Sequence, residues 1–273
     1  MILLSLIFGL VVGLSLGLTG GGGAIFAVPL LVYGLGVPAR EAVGISLAAV
    51  GATSLVGFLQ RWRAGQVEIG TGLLFAVAGM VGAPLGSWIA GRLPETMLLL
   101  LFAGLMVIVA IRMWQSSPAA ASAEAILAAQ DNSADGPTCR RDATGTLILT
   151  SPCALLLLTV GLLTGLLAGL FGVGGGFVIV PALILFSSMS IHRAVGTSLM
   201  VIALISVSGV TAHLAAGRDI PLDITGLFLL GGLAGLFAGQ AISKRLSSTV
   251  LQRVFVVAIL AVAGYIVLQN LLL

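Results

Sequence analysis

Gly17-Leu18-Thr19-Gly20-Gly21-Gly22-Gly23-Ala24, running on to Val28-Pro29, returns 152 residues later as Gly169-Leu170-Phe171-Gly172-Val173-Gly174-Gly175-Gly176, running on to Val180-Pro181. Each copy interrupts a hydrophobic stretch that would otherwise cross a membrane. A broken membrane helix leaves backbone N–H and C=O groups that hydrocarbon cannot satisfy, so such backbone persists only where protein buries it or it lines a polar cavity. A matched pair of breaks, one per half, is the sequence pointer to a transporter's binding site.

Composition sets the same frame. Of 273 residues, 59% are hydrophobic and 8% charged, with a mean hydropathy of +1.22. A soluble domain of this length needs far more charged surface. The apolar runs have membrane length, and the lipid bilayer is the first partner implied. The net charge of +3 comes from few residues, mostly in loops, so there is no nucleic-acid footprint. Met1 to Leu18 lacks a basic start and a small-residue cleavage site, and it has a counterpart at Cys153 to Leu170. This argues against a cleaved signal peptide. The two cysteines, Cys139 and Cys153, lack metal-ligand spacing and read as free thiols.

Hydrophobic segments run over 2–18, 24–36, 42–60, 70–91 and 97–113, then over 153–170, 177–188, 194–212, 224–243 and 254–272. The halves match beyond the glycines. Ala42-Val43-Gly44-Ile45-Ser46-Leu47 aligns without a gap on Ala194-Val195-Gly196-Thr197-Ser198-Leu199. Ser54 and Gly57 fall on Ser206 and Gly209, and one inserted residue later Gly79, Gly82 and Gly86 fall on Gly232, Gly235 and Gly239. Shared apolar composition does not produce such ungapped agreement; an internal duplication does. Between the halves, Gln115 to Ser151 is polar and rich in Ser, Ala, Asp, Gly and Pro. It reads as a flexible linker with room for a helical turn or two around 119–130.

Charge decides how the halves are related. With five segments per half and the second half upside down, Arg61, Arg63, Arg112, Arg140, Arg141, Arg193, Lys244, Arg245 and Arg253 share one side, and Arg40, Arg92 and Arg218 the other, a split of nine to three. Four parallel segments per half divide the same residues six to six. The positive-inside rule prefers inversion and puts the linker in the cytoplasm. The expected fold is therefore all-α: a polytopic membrane protein of two inverted repeats, each with about five hydrophobic segments. Residues 1–114 form the first repeat, 115–151 the cytoplasmic linker and 152–273 the second repeat. The first two segments of each half are short against a core of about 30 Å. They form a Gly-broken or re-entrant hairpin on this reading, and inversion brings the two tips together.

Consecutive glycines leave their amides uncovered by side chains. A run of N–H groups opening a helix favours an anion, helped by the helix dipole. The competing account is helix packing by small residues, a serious rival for any single one of the 38 glycines and a weaker one for two matched runs. Pro29 and Pro181 follow each run; either the helix begins near the proline, or it begins earlier and bends there. Among hydroxyls, Ser46 and Ser198 are repeat-matched, with Thr197 beside the second and Thr19 at the first break. Thr53, Ser54, Ser206 and Ser208 lie deeper, where bonds to backbone or to neighbouring helices are the ordinary role. No Asp, Glu, Lys or Arg sits in the middle of a segment, which disfavours coupling by a buried carboxylate. His192 and His213 fall at segment ends, where an interfacial place accounts for both. The membrane segments offer no clustered nucleophile, base or metal ligands, so no catalytic residue, metal site or cofactor is expected.

The pattern Gly-Leu-x-Gly-x-Gly-Gly-[Gly/Ala]-x-x-x-Val-Pro followed by Ala-Val-Gly-x-Ser-Leu, present twice, resembles the TauE/SafE family of bacterial membrane permeases. The resemblance covers most of the chain outside the linker. One departure is Gly21, where the second copy has Val173. The resemblance implies a multi-pass permease or exporter of the bacterial inner membrane, moving small sulfur-containing anions such as sulfite or organosulfonates. The spacing alone gives only an anion-favouring site between the repeats, worked by alternating access. Substrate contacts are accordingly expected at Thr19, Gly20, Gly21, Gly22, Gly23 and Ala24 in the first break and its flanks. In the second they are expected at Gly172, Gly174, Gly175 and Gly176, with Ser46, Thr197 and Ser198 alongside. An anion channel, or a carrier of another small organic anion, is the alternative. Assembly as a homodimer is compatible with the sequence.

Overall fold

The computed structural model describes residues 2–115, 140–141, 147–148, 151–173, 176–187, 189, 191–243 and 248–272. Over these residues the chain is helical, apart from a two-residue antiparallel ladder pairing β1 (Arg140–Arg141) with β2 (Leu147–Ile148) inside the expected linker. The helical turns expected around 119–130 fall outside the described residues. The first half consists of α1 (Ile2–Thr19), α2 (Gly22–Gly34), α3 (Ala39–Arg63), α4 (Ile69–Ala90) and α5 (Glu95–Gln115). The second half consists of α6 (Ser151–Phe171), α7 (Gly176–Ser187), α8 (Ile191–Ala215), α9 (Leu222–Ser243) and α10 (Ser248–Leu272). Six helices, α1, α3, α4, α6, α8 and α9, are long and apolar enough to cross a membrane, whereas Gly22–Gly34 is shorter.

Local chemistry sets the helix ends. Pro38 is extended and opens α3, which carries Glu41 in its first turn and Arg61 and Arg63 in its last, complementing the helix dipole. α3 stops at Gly65 and α8 at Gly217, both at φ 69°. In each case the next amide reaches back to the last turn, Gln66 N–H to Arg61 O and Arg218 N–H to His213 O. This is the glycine-terminated helix end that only a residue tolerant of positive φ completes without strain. Pro29 lies inside α2 rather than at its start: the segment opens as a 3₁₀ helix at Gly22, is α-helical over Ala27–Pro29 and widens to a π-turn over Leu30–Gly34. Of the two readings of that proline, the helical segment that begins before it is the one observed.

The halves are interleaved. α1 lies along α9 in the same direction, with Gly9 against Phe228, Gly13 against Gly232 and Gly17 against Leu236. α6 repeats the contact on α4, with Gly161 against Phe75, Gly165 against Gly79 and Gly169 against Ala83. Without side chains at these positions the backbones touch, which is how membrane helices gain dispersion contact where no hydrophobic drive separates protein from lipid. At the centre α3 crosses α8 in the opposite direction, with Gly44 against His213, Gly51 against Ser206 and Gly57 against Leu199. In their apolar windows 67% and 72% of α3 and α8 residues are buried, against 33% and 39% for α1 and α9. The central pair is thus shielded by the outer helices. These outer helices present exposed Leu3, Val77, Trp88, Leu163 and Leu230, a surface suited to lipid and costly in water.

α2 folds back along α1, placing Gly23 against Leu16 and Gly34 against Phe8. The glycine run makes the turn between the two. Cys153 is disulfide-bonded, correcting the free-thiol reading. Its spacing in sequence carried no sign of this, because a disulfide depends on tertiary proximity.

Candidate functional site

The two glycine breaks meet in the protein interior. A Cβ at Gly21 would lie 2.8 Å from Gly176 O, and one at Gly176 would lie 2.7 Å from Gly21 Cα. Only bare backbone fits there. Gly20 and Gly172 turn the chain at φ 74° and 70°, after amides that still close the preceding helices, Gly20 N–H to Leu16 O and Gly172 N–H to Ala168 O.

Two serines hold the tips. Ser46 Oγ donates to Gly172 O at 2.6 Å; Ser198 Oγ donates to Gly20 O at 2.6 Å and to Val195 O at 2.9 Å. Each half therefore anchors the break of the other, through the same pair of repeat positions. The packing is reciprocal as well, with Gly20 against Val195 and Gly172 against Val43. A buried carbonyl left without its donor costs about 1–3 kcal/mol, so these bonds keep the tips closed as well as placed. The matched serines were expected beside the solute; the structure spends their hydroxyls on the break carbonyls.

Past the first tip the backbone is unusually bare. Gly20, Gly21, Gly22, Gly23 and Ala24 are all buried. The 3₁₀ turn that opens at Gly22 has no side-chain cap, and the N–H groups of Gly21, Gly22 and Gly23 find no acceptor among the described residues. Ala24 N–H is already engaged, with Gly21 O at 3.4 Å. Buried amides with no acceptor among the described residues, in a low-dielectric interior, favour negative charge.

The other expected residues divide. Thr19 stands at the break, with its hydroxyl donating to Ser15 O at 2.7 Å, within its own helix. Thr197 Oγ1 accepts from Glu68 N–H at 3.0 Å, at the start of α4, so it joins the halves away from the tips. Gly174 and Gly175 lie outside the described residues. The deeper hydroxyls do not behave alike: Thr53 donates to Ala49 O and Ser208 to Met80 O. Ser54 and Ser206, a repeat-matched pair, are buried without partners among the described residues. A small apolar cavity of about 10 Å³ lies between α1, α3 and α9, lined by Val12, Leu16, Val50 and Phe228 among others. Its threonine, Thr53, is already bonded, so nothing there would hold an anion.

His213, in the last turn of α8, is 0% exposed, and neither ring nitrogen has a partner among the described residues, whereas His192 is exposed. The antiparallel crossing of α3 over α8 covers it, a tertiary fact with no local sequence signal.

Comparison with known proteins follows the same lines. The family model described as "Sulfite exporter TauE/SafE" matches residues 5–266. A "Probable membrane transporter protein" of Xylella fastidiosa (strain Temecula1) is 34% identical over 265 residues, covering 95% of this chain and 92% of the relative. The "Probable membrane transporter protein YdhB" of Bacillus subtilis is 27% identical over 245 residues, covering 88% of this chain and 89% of the relative. No solved structure matches.

Proposed function

The chain belongs to the sulfite exporter TauE/SafE family, and from that premise we propose that it is a secondary carrier of small sulfur-containing anions such as sulfite or organosulfonates. That it is a multi-pass membrane transporter follows from the family and from its six membrane-length helices. The finer reading is carried by one observation: two buried glycine tips in backbone contact, with the amides of Gly21 to Gly23 unpartnered among the described residues. Small oxyanions are the solutes such amides suit, since they offer several acceptors and a charge in a small volume.

An inverted relation of the halves is supported by the crossing. Equivalent helices α3 and α8 run antiparallel, while α1 and α9 run parallel, as do α6 and α4. A two-fold axis perpendicular to the helices produces that pattern, and it agrees with the charge split of nine to three. The linker is assigned to the cytoplasm of a bacterial inner-membrane protein by that split. The disulfide at Cys153 opposes the assignment, because such bonds persist in oxidising compartments; the split is weighted above it because it draws on both repeats. A carrier is favoured over a channel because the tips are buried and clamped by Ser46 and Ser198, an occluded arrangement that alternating access requires and an open pore does not.

The test is a thermal-shift series on purified protein with sulfite, sulfoacetate, sulfate and chloride. Sulfite or sulfoacetate is expected to raise the midpoint progressively with concentration, as binding to the folded state demands, and chloride to leave it in place. Equal responses to all four, or none, would remove the sulfur-anion assignment.

A further inference from the structure

We propose that Arg40, Arg218 and His213 form a second oxyanion site at the end of the protein opposite the linker, separate from the glycine tips. Three arginines from three chain segments converge on the turn between α4 and α5. Arg40 Nη2 donates to Leu93 O at 3.0 Å. The Arg218 guanidinium lies over Gly91, where an added Cβ would be 2.2 Å from its Nη2. Arg92, in the turn itself, stacks its guanidinium 3.4 Å from the centre of the Trp88 ring.

None of the three arginines has a carboxylate partner among the described residues. Glu41, Glu95 and Asp219 stand close in sequence but are exposed. Burial, and then the neighbouring Arg40, hold Arg218 below its ordinary arginine value. A partly buried guanidinium facing another without a counter-charge is an unfavourable arrangement that an anion relieves.

His213 supplies the independent observation. It ends α8 beneath Arg218, tied to it through the Arg218 N–H to His213 O bond of 3.4 Å. Its ring rests on α3, with Nε2 2.5 Å from where a Gly44 Cβ would be, and neither ring nitrogen has a partner among the described residues. A buried imidazole whose N–H has no acceptor is costly, and an oxyanion is an acceptor that would lower that cost. The antiparallel crossing of α3 and α8 brings Arg40, one turn before Gly44, to the same end.

The equivalent place in the other half is built differently. Arg61 and Gln66 are the positions equivalent to His213 and Arg218, 152 residues earlier. There Arg61 Nη1 donates to Gln66 Oε1 at 3.3 Å, so the chain provides its own acceptor. At the other end Arg218 stands where Gln66 supplies the acceptor, and among the described residues no side-chain acceptor meets its guanidinium. A solute oxyanion or a lipid headgroup phosphate has the chemistry to supply it. The inference rests on the transport reading only in making the free solute a sulfur oxyanion that docks here on its way to or from the tips.

The experiment uses the full chain carrying Trp62→Phe and Trp114→Phe, so that Trp88, under Arg92, reports alone. The protein is placed in nanodiscs of neutral phosphatidylcholine, or of phosphatidylcholine with phosphatidylglycerol, and titrated with sulfite and with sulfate. A saturable change in Trp88 emission is expected. Arg218→Ala and His213→Ala should each move its midpoint about tenfold higher, the effect of one lost charge-assisted contact. Arg218→Lys should recover part of the shift. Gly22→Val should leave the midpoint in place, which separates this site from the tips. If phosphatidylglycerol alone raises the midpoint, the headgroup competes and the oxyanion is the lipid's; if lipid charge has no effect, it is the free solute. No saturable change in protein with a normal helical spectrum overturns the proposal. So does a midpoint that ignores Arg218→Ala, or one that Gly22→Val moves as far.

Discussion

Gly22→Val is expected to abolish anion transport in proteoliposomes while the protein still inserts and purifies as a folded species. The residue is buried at the opening of the 3₁₀ turn and is not among the glycines held at positive φ, so a side chain there is not barred by backbone conformation. What valine does is cover the amides of Gly22 and Gly23 with a branched carbon. If those amides bind the anion, transport should fall by about a hundredfold or more, the loss that follows removal of an oxyanion-binding donor. Gly22→Ala should fall between valine and the parent. Full activity in Gly22→Val would show that the solute does not meet these amides.

Gly13→Leu is expected to act in the opposite way, removing the folded protein. A Cβ at Gly13 would lie 1.9 Å from Gly232 O, and the equivalent contact in the other half places a Cβ at Gly165 2.0 Å from Gly79 O. Overpacking typically costs about 1–3 kcal/mol where neighbouring side chains can give way. The obstacle here is a main-chain carbonyl on another helix, so α1 and α9 must separate and the cost should reach or exceed the top of that range. Size-exclusion chromatography of the solubilised protein should show the monodisperse peak lost. Gly104→Leu is the control, since nothing lies within 4 Å of a Cβ there. A normal peak for Gly13→Leu would mean that the α1–α9 contact is not a requirement of the fold.

The two substitutions separate two uses of glycine that look identical in sequence. Gly9, Gly13 and Gly17 recur every four residues, and the structure spends them on a helix interface. Gly20 to Gly23 are consecutive, which no helix interface needs, and they form a turn instead. Spacing made that distinction legible. Positional matches such as Ser46 with Ser198 were legible too, and the ten hydrophobic segments coincide with α1 to α10 to within six residues at each end. The matching also flagged Ser46 and Ser198 without revealing what they touch: a hydroxyl's partner lies 126 or 178 residues away, beyond any local pattern. Thr197 was selected by adjacency to Ser198, yet one step along a helix turns a side chain by about 100°, here toward Glu68 rather than the tip. The burial of His213 and the bonding of Cys153 were not legible for the same reason, since both depend on which parts of the chain lie against them.

The central claim is that bare amides at the joined tips hold the solute's oxygen atoms. Selenite, an electron-dense analogue of sulfite, allows a direct measurement: the anomalous selenium signal in a structure of the protein saturated with it. The account predicts a peak within hydrogen-bonding distance of the amide nitrogens of Gly21, Gly22 and Gly23. Selenium found only elsewhere, with those amides unoccupied at saturation, would contradict it.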